Sequence, residues 1–334
     1  MNKVCPPRRF WLIPVGLAMV CLCAVTPAKA ELVYVTLQTS VASFDISSGN
    51  GTTIAATKTT VASGLTEAMG LVFGGDGNLY ANNYSTTAGA GTVSKIVPGS
   101  GTVTSFATGL TNNRGITYSS SAGEFSVTAD GNPGAISEIS SIGTVSPLLT
   151  FGSNTSPYGI ALDASGNLYT ANNANYSISK IVNGVPSTFA TFTPGQGVRA
   201  VAVASNGDVY SAGDFGVNVT TQGGSTTNLV SGLAFAFGLA FDSGGNILVA
   251  DYVNQSIASY DSSGTQLYSF STGAGSSNRP RYVAFDRAGS GFNQVVPEPG
   301  SVATGVAALI VAGGYAARRR VRRMSRGSAQ APGR

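Results

Sequence analysis

Histidine is absent from all 334 residues, and the three cysteines, Cys5, Cys21 and Cys23, sit together near the start. The first absence excludes Ser-His-Asp and Cys-His nucleophile pairs and any histidine-ligated zinc or haem. The second leaves the rest of the chain without an internal disulfide framework. Charge is scarce as well, at 10% of residues, and the formal net charge of +4 is misleading. Four cations (Lys3, Arg8, Arg9, Lys29) lie in the first thirty residues and seven arginines lie between Arg318 and Arg334, so residues 31–295 carry eight cations against fourteen carboxylates. That mildly acidic middle excludes a basic nucleic-acid binder. Helical periodicity is missing from the same stretch, which is rich in Gly, Ser, Thr and Asn. A composition of this kind suits an exposed extracellular protein.

Both ends carry address-like patterns. Lys3, Arg8 and Arg9 precede an apolar run over residues 10–25, and the small residues Ala28 and Ala30 follow it at the spacing signal peptidase requires. Residues 1–30 are therefore expected to be a signal peptide cleaved after Ala30. Arg8-Arg9-Phe10-Trp11-Leu12 also resembles a twin-arginine signal, which leaves the export route open. At the far end, Val296-Pro297-Glu298-Pro299-Gly300 leads into seventeen mostly small apolar residues (301–317) and a basic tail (318–334). Seventeen residues at about 1.5 Å each span about 26 Å, enough to cross a hydrocarbon core as a helix. The arginines after it would stay on the cytoplasmic side. This three-part string over residues 296–334 resembles the PEP-CTERM sorting signal of Gram-negative bacteria. The resemblance implies an exosortase-type sorting protease as partner, a transient stay of residues 301–317 in the inner membrane, and release to the cell surface or extracellular matrix after cutting near Pro297 to Pro299. A plain single-span anchor is the alternative.

Between the ends lies a repeat. Gly70-Leu71-Val72-Phe73, Gly159-Ile160-Ala161-Leu162 and Gly238-Leu239-Ala240-Phe241 each run into a turn and then Gly-Asn-Leu-Tyr or Gly-Asn-Ile-Leu, and weaker copies begin at Gly115, Ala200 and Tyr282. Spacings of 45, 44, 41, 38 and 44 fill residues 31–295 with six units. In the copy starting at Gly238, strands are expected over 238–242, 247–251, 256–260 and 266–270, separated by turn residues. Small residues recur two places into each first strand (Val72, Thr117, Ala161, Ala202, Ala240, Ala284), as six strands crowding one axis would require. The predicted fold is all-β: a six-bladed propeller of four-stranded blades, with edges protected by radial closure. The strand-like segments at residues 31–35 and 40–45 lack a first strand, and the last copy lacks later ones, so the two ends are expected to complete one blade.

Gly245-Asn246-Ile247-Leu248-Val249-Ala250-Asp251-Tyr252 and the segment that follows to Ile257 resemble an NHL repeat, and residues 166–178 carry the same frame. The resemblance spans roughly residues 65–290. It implies the six-bladed architecture, and it leaves activity open, because such propellers include lactonases, lyases, peptide binders and nucleic-acid binders.

In a propeller, the residue before each innermost strand borders the mouth of the central channel. Those residues are Met69, Arg114, Tyr158, Arg199, Phe237 and Arg281, which predicts a cationic, aromatic-lined opening suited to carboxylate, sulfate or phosphate groups. The expected function is an exported binding protein recognising an anionic glycan or envelope polymer such as an extracellular polysaccharide, without a cofactor. Each arginine could instead pair with a neighbouring blade's Asp or a backbone carbonyl. A metal-dependent lactonase is the other functional reading. It would need Ca²⁺ held by Glu67, Asn112 and Asn113, though none of these occupies a mouth position. The lyases of this fold resemble enzymes with a catalytic histidine, which this chain lacks. Asp163, Asp242 and Asp286 are expected to cap turns; Asp130, Asp251 and Asn172 are expected to bond between blades; and Asn82-Asn83, Asn112-Asn113 and Asn172-Asn173 read as turn punctuation.

Overall fold

The computed structural model describes residues 32–46, 52–233 and 235–285. They form six four-stranded antiparallel sheets. Blade 1 takes Leu32–Thr36, Ser40–Asp45 and Thr57–Ser63 from the start of the chain and its innermost strand, Val283–Phe285, from the end. The pairing is Val33 with Phe285, Tyr34 with Ala284 and Val35 with Val283. The other blades run outward in chain order from innermost strands Ala68–Phe73, Asn113–Ser119, Pro157–Leu162, Val198–Val203 and Ala236–Phe241, defining blades 2 to 6. Each innermost strand packs on the next, and the last of them returns to blade 2, which closes the ring.

The strands show little hydrophobic-polar alternation because the inner half of each blade is covered on both faces. Leu79–Asn83, Leu168–Asn172, Val209–Gly213 and Ile247–Asp251, the second strands of four blades, are buried throughout, whereas outermost strands such as Thr57–Ser63 and Val185–Thr191 are largely exposed. The core is correspondingly six wedges, one between each pair of blades. Val33, Phe44, Leu248 and Phe270 belong to the wedge that joins blades 1 and 6. Second-strand tyrosines extend the wedges: Tyr80 meets Phe106 at 4.7 Å edge-on, and Tyr169 meets Phe189 at 5.3 Å. The small residues expected at the axis (Val72, Thr117, Ala161, Ala202, Ala240, Ala284) are all buried.

The turn chemistry follows the sequence in part. Asp163 Oδ1 accepts the Ser165 and Asn167 N–H groups, and Asp242 Oδ1 accepts those of Gly244 and Asn246. Gly166 and Gly245 sit in these turns at φ +83° and +85°, where a side chain would be strained. Asp286 lies outside the described residues.

Other expectations need correction. The strand placed at 238–242 begins two residues earlier, at Ala236. Asn82, Asn83, Asn113 and Asn172 do not punctuate turns; they are buried in strands. Asn172 bonds within its own blade, to Ser177 and Ser179, and the Asp130 carboxylate meets Arg114 of its own blade, while the Asp130 carbonyl accepts from Ser156 at the start of the next blade, as expected; the Asp251 carboxylate accepts from Asn254. Amides that do cross between blades include that of Asn82, which donates to the Arg114 and Gly115 carbonyls, and that of Asn113, which donates to the Thr92 carbonyl. The physical reason is position: the end of each second strand lies deep in the blade, where a short polar side chain must find acceptors nearby. The expected signal peptide with Ala28 and Ala30, the motif Val296-Pro297-Glu298-Pro299, and the membrane helix at 301–317 lie outside the described residues. Among the described residues no helix is long and apolar enough to cross a membrane.

Candidate functional site

Five of the six mouth residues are held in place by a backbone irregularity shared by their blades. Ladder register slips between Ala68 and Leu71, Asn113 and Ile116, Pro157 and Ile160, Val198 and Ala200, and Ala236 and Gly238. Each slip contains or adjoins the mouth residue, and such bulges re-aim a side chain out of the sheet. In four of the six blades the next residue is a glycine (Gly70, Gly115, Gly159, Gly238), which permits close stacking of the inner strands. A Cβ on Gly70 would lie 2.5 Å from the Arg114 carbonyl oxygen, and one on Gly115 would overlap that of Tyr158.

Met69, Arg114, Tyr158, Arg199, Phe237 and Arg281 consequently line one cavity of about 430 Å³. Phe235, Tyr252, Val253 and Arg279 complete its wall. Arg114 lies between two rings, 4.4 Å from the centre of Tyr84 and 4.1 Å from that of Tyr158, and its Nε donates to Asp130. Arg199 lies 4.5 Å from Phe235 and 5.5 Å from Phe237 and pairs with Asp214. Arg281 crosses to blade 2, where it donates to Glu67 at 2.7 Å and to the Ala68 carbonyl at 3.3 Å. Arg279 stands apart. It lies 5.0 Å from Tyr252, forms no ion pair among the described residues, and its buried Nε has no hydrogen-bond partner there.

Charge at the site is mostly neutralised. Burial alone would raise the Glu67 pKa, but hydrogen bonds from Gln38 and Arg281, together with the arginine charges, hold it below the ordinary carboxylate value. Burial disfavours the Arg114 cation, but Asp130, with smaller help from Tyr158 and Tyr84, outweighs it, so its pKa rises. Four arginines line the cavity and, among the described residues, three have a carboxylate partner, which leaves one net positive charge there.

The residues weighed as metal ligands do not form a set. Glu67 is engaged by Gln38 and Arg281, while Asn113 is fully buried with its amide on the Thr92 carbonyl. Asn112 occupies a left-handed turn at φ +54°. Among the described residues no group of three or more carboxylates, cysteines or histidines is placed to hold a metal ion.

Sequence reasoning missed Phe235 and Arg279, and with them the partners Asp130 and Asp214. The signal was present: two residues before each mouth position stand Glu67, Asn112, Ser156, Gly197, Phe235 and Arg279. Three of these, Glu67, Asn112 and Phe235, have left-handed backbones at φ +44°, +54° and +61°. A phenylalanine in that conformation, 45% exposed, is the feature least explained by folding.

No family model matches the chain, and no curated protein does. Solved structures do resemble it. A nidogen/laminin complex includes a chain with TM-score 0.62 and 15% identity, covering 77% of this chain and 98% of that one. A streptogramin B lyase gives TM-score 0.56 at 16% identity, covering 76% and 84%. Virginiamycin B lyase from Staphylococcus aureus gives 0.55 at 16% identity, covering 78% and 86%, and its catalytically inactive histidine-to-alanine variant with quinupristin gives 0.51. At these identities the likeness is one of fold: this chain is a six-bladed β-propeller similar to propeller proteins that include a lyase.

Proposed function

We propose that the protein is an exported, non-catalytic propeller that binds an anionic glycan or envelope polymer at its channel mouth. The observation that carries this reading is the cavity in which aromatic rings and four arginines converge, one of them, Arg279, forming no ion pair among the described residues. Its volume falls within the range of small-ligand pockets, roughly 300–1,000 Å³. Lyase chemistry of the type found in the similar enzymes fits poorly, because replacing one histidine inactivates that lyase and this chain has none to supply. The lactonase reading gains nothing from the geometry, since Glu67 already serves Arg281.

Export and sorting belong to the same proposal and rest on the sequence strings at residues 1–30 and 296–334. They would place an inner-membrane intermediate before surface or matrix release. Intact-mass analysis of surface-released protein should then show a C-terminus near Pro299; finding residues 301–317 still attached would reduce the sorting signal to an anchor.

Thermal stability with acidic and neutral oligosaccharides tests the binding reading. An acidic ligand at a hundred times its Kd stabilises by about 2.7 kcal/mol, a rise of about 5–10 °C for a domain of this size. Added salt should shrink that rise by screening. Equal stabilisation by neutral glycans, or none by acidic ones, would refute the reading.

A further inference from the structure

The cavity wall interleaves rings and guanidinium groups. Phe237 and Tyr252 lie 5.1 Å apart with their rings tilted by 41°, and Phe235, which also lines the cavity, is 45% exposed. Arg199 lies against Phe235 and Phe237 and Arg279 against Tyr252, and most of the charge is already committed. Asp130, Asp214 and Glu67 neutralise Arg114, Arg199 and Arg281, and Arg279 remains with a π-face as its partner. A ligand dense in sulfate or phosphate would carry second and third anions toward those three carboxylates, and like charges at close range in a partly desolvated site repel. A ligand with one negative charge on a ring faces no such penalty.

We infer that the mouth accepts a single carboxylate borne on a sugar ring, the carboxylate on Arg279 and the C–H face of the ring against Phe235, Phe237 and Tyr252. The ligand class is therefore a uronate-type glycan. This rests on the glycan-binding reading above and narrows it. The carboxylate supplies the acceptor that Arg279 lacks, and charge-assisted bonds of this kind are the strong ones. The aromatic trio supplies the apolar contact that fixes the ring. Phe235 gives the second, independent pointer: its backbone is held at φ +61°, a conformation unfavourable for a bulky side chain, and the result is a ring presented to the cavity.

The test uses the full-length protein in detergent and three probes by isothermal titration: methyl α-galacturonoside, which carries one carboxylate, its methyl ester, and a heparin-derived tetrasaccharide. The galacturonoside should bind at least tenfold more tightly than either of the others. Arg279→Gln should weaken it about tenfold. Phe235→Asn, which tolerates the left-handed backbone, should do the same without lowering the melting temperature. Heparin tetrasaccharide binding as tightly as the uronate, or Arg279→Gln leaving affinity unchanged, would overturn this inference while leaving the broader reading intact. Failure of every acidic probe to bind would overturn both. The ester comparison uses the unaltered protein, so it decides the matter even if a variant fails to fold.

Discussion

The Arg114–Asp130 pair offers the sharpest energetic test of how this mouth is built. Both side chains are largely buried, 13% and 8% exposed, and Arg114 is further enclosed by Tyr84 and Tyr158. Changing Asp130 to Asn removes one charge and leaves the other desolvated, and breaking a buried pair in this way costs about 3–5 kcal/mol. The two rings retain part of the cation's stabilisation, each contributing about 0.5–2 kcal/mol. The loss should therefore fall near the lower end, about 3 kcal/mol, equivalent to a fall of roughly 6–12 °C for a domain of this size. Adding Arg114→Gln to Asp130→Asn should restore much of it, because the stranded charge is then gone. Scanning calorimetry on wild type, both single variants and the double variant closes a double-mutant cycle, and a coupling of about 1–3 kcal/mol is expected for groups in direct contact. An Asp130→Asn protein within 0.5 kcal/mol of wild type, or single-variant costs that simply add, would show that the buried pair does not govern stability and would refute the reasoning.

Three further outcomes follow from the geometry. Gly115→Ala places a Cβ onto the Tyr158 carbonyl oxygen and should cost about 3 kcal/mol by overpacking, whereas Gly77→Ala, in open space at φ +74°, should cost only about 1 kcal/mol; chemical denaturation compares the two. Phe235→Gly relieves a left-handed phenylalanine worth about 1–2 kcal/mol of strain and forfeits one contact with Arg199, so calorimetry should find a melting temperature at or above that of wild type, and a loss above about 1 kcal/mol would contradict this. For Asp76, burial alone would raise the pKa, but bonds from Lys95, Asn78 and Tyr80 hold it at about 2 against an ordinary 3.8. Because the folded value is the lower one, the stabilisation is complete above 3.8 and vanishes as pH falls toward 2. The pair is partly exposed, so wild type should lose at most about 1 kcal/mol more than Asp76→Asn across that window, measured by urea midpoints.

Much of the architecture was legible because a propeller repeats the same physical demand six times. Every blade needs a turn after its innermost strand, and the Asp163 and Asp242 turns with Gly166 and Gly245 state that demand in the same words. Every innermost strand needs a small residue at the axis, and the series from Val72 to Ala284 records it. The asparagines misled because their local meaning and their place conflict: Asn82 and Asn83 read as a turn when only neighbours are considered, yet they end a strand buried on both faces. Burial on both faces also erased the alternation that would have marked them as strand.

The mouth was half legible for a related reason. Arg114, Arg199 and Arg281 fall in register, so the repeat reveals them, but their partners do not share one register. Asp130 and Asp214 each follow a second strand of the same blade, whereas Glu67 lies two residues before the mouth position of the next blade. Counting cations in register therefore overstates the charge presented to a ligand. Among the described residues, the charge left after pairing is that of Arg279, a residue outside the register of the other three. The consequence is a division of labour within one ring: three arginines fasten blades and loops around the opening, and the one without a carboxylate among the described residues is the one to which the proposal assigns recognition.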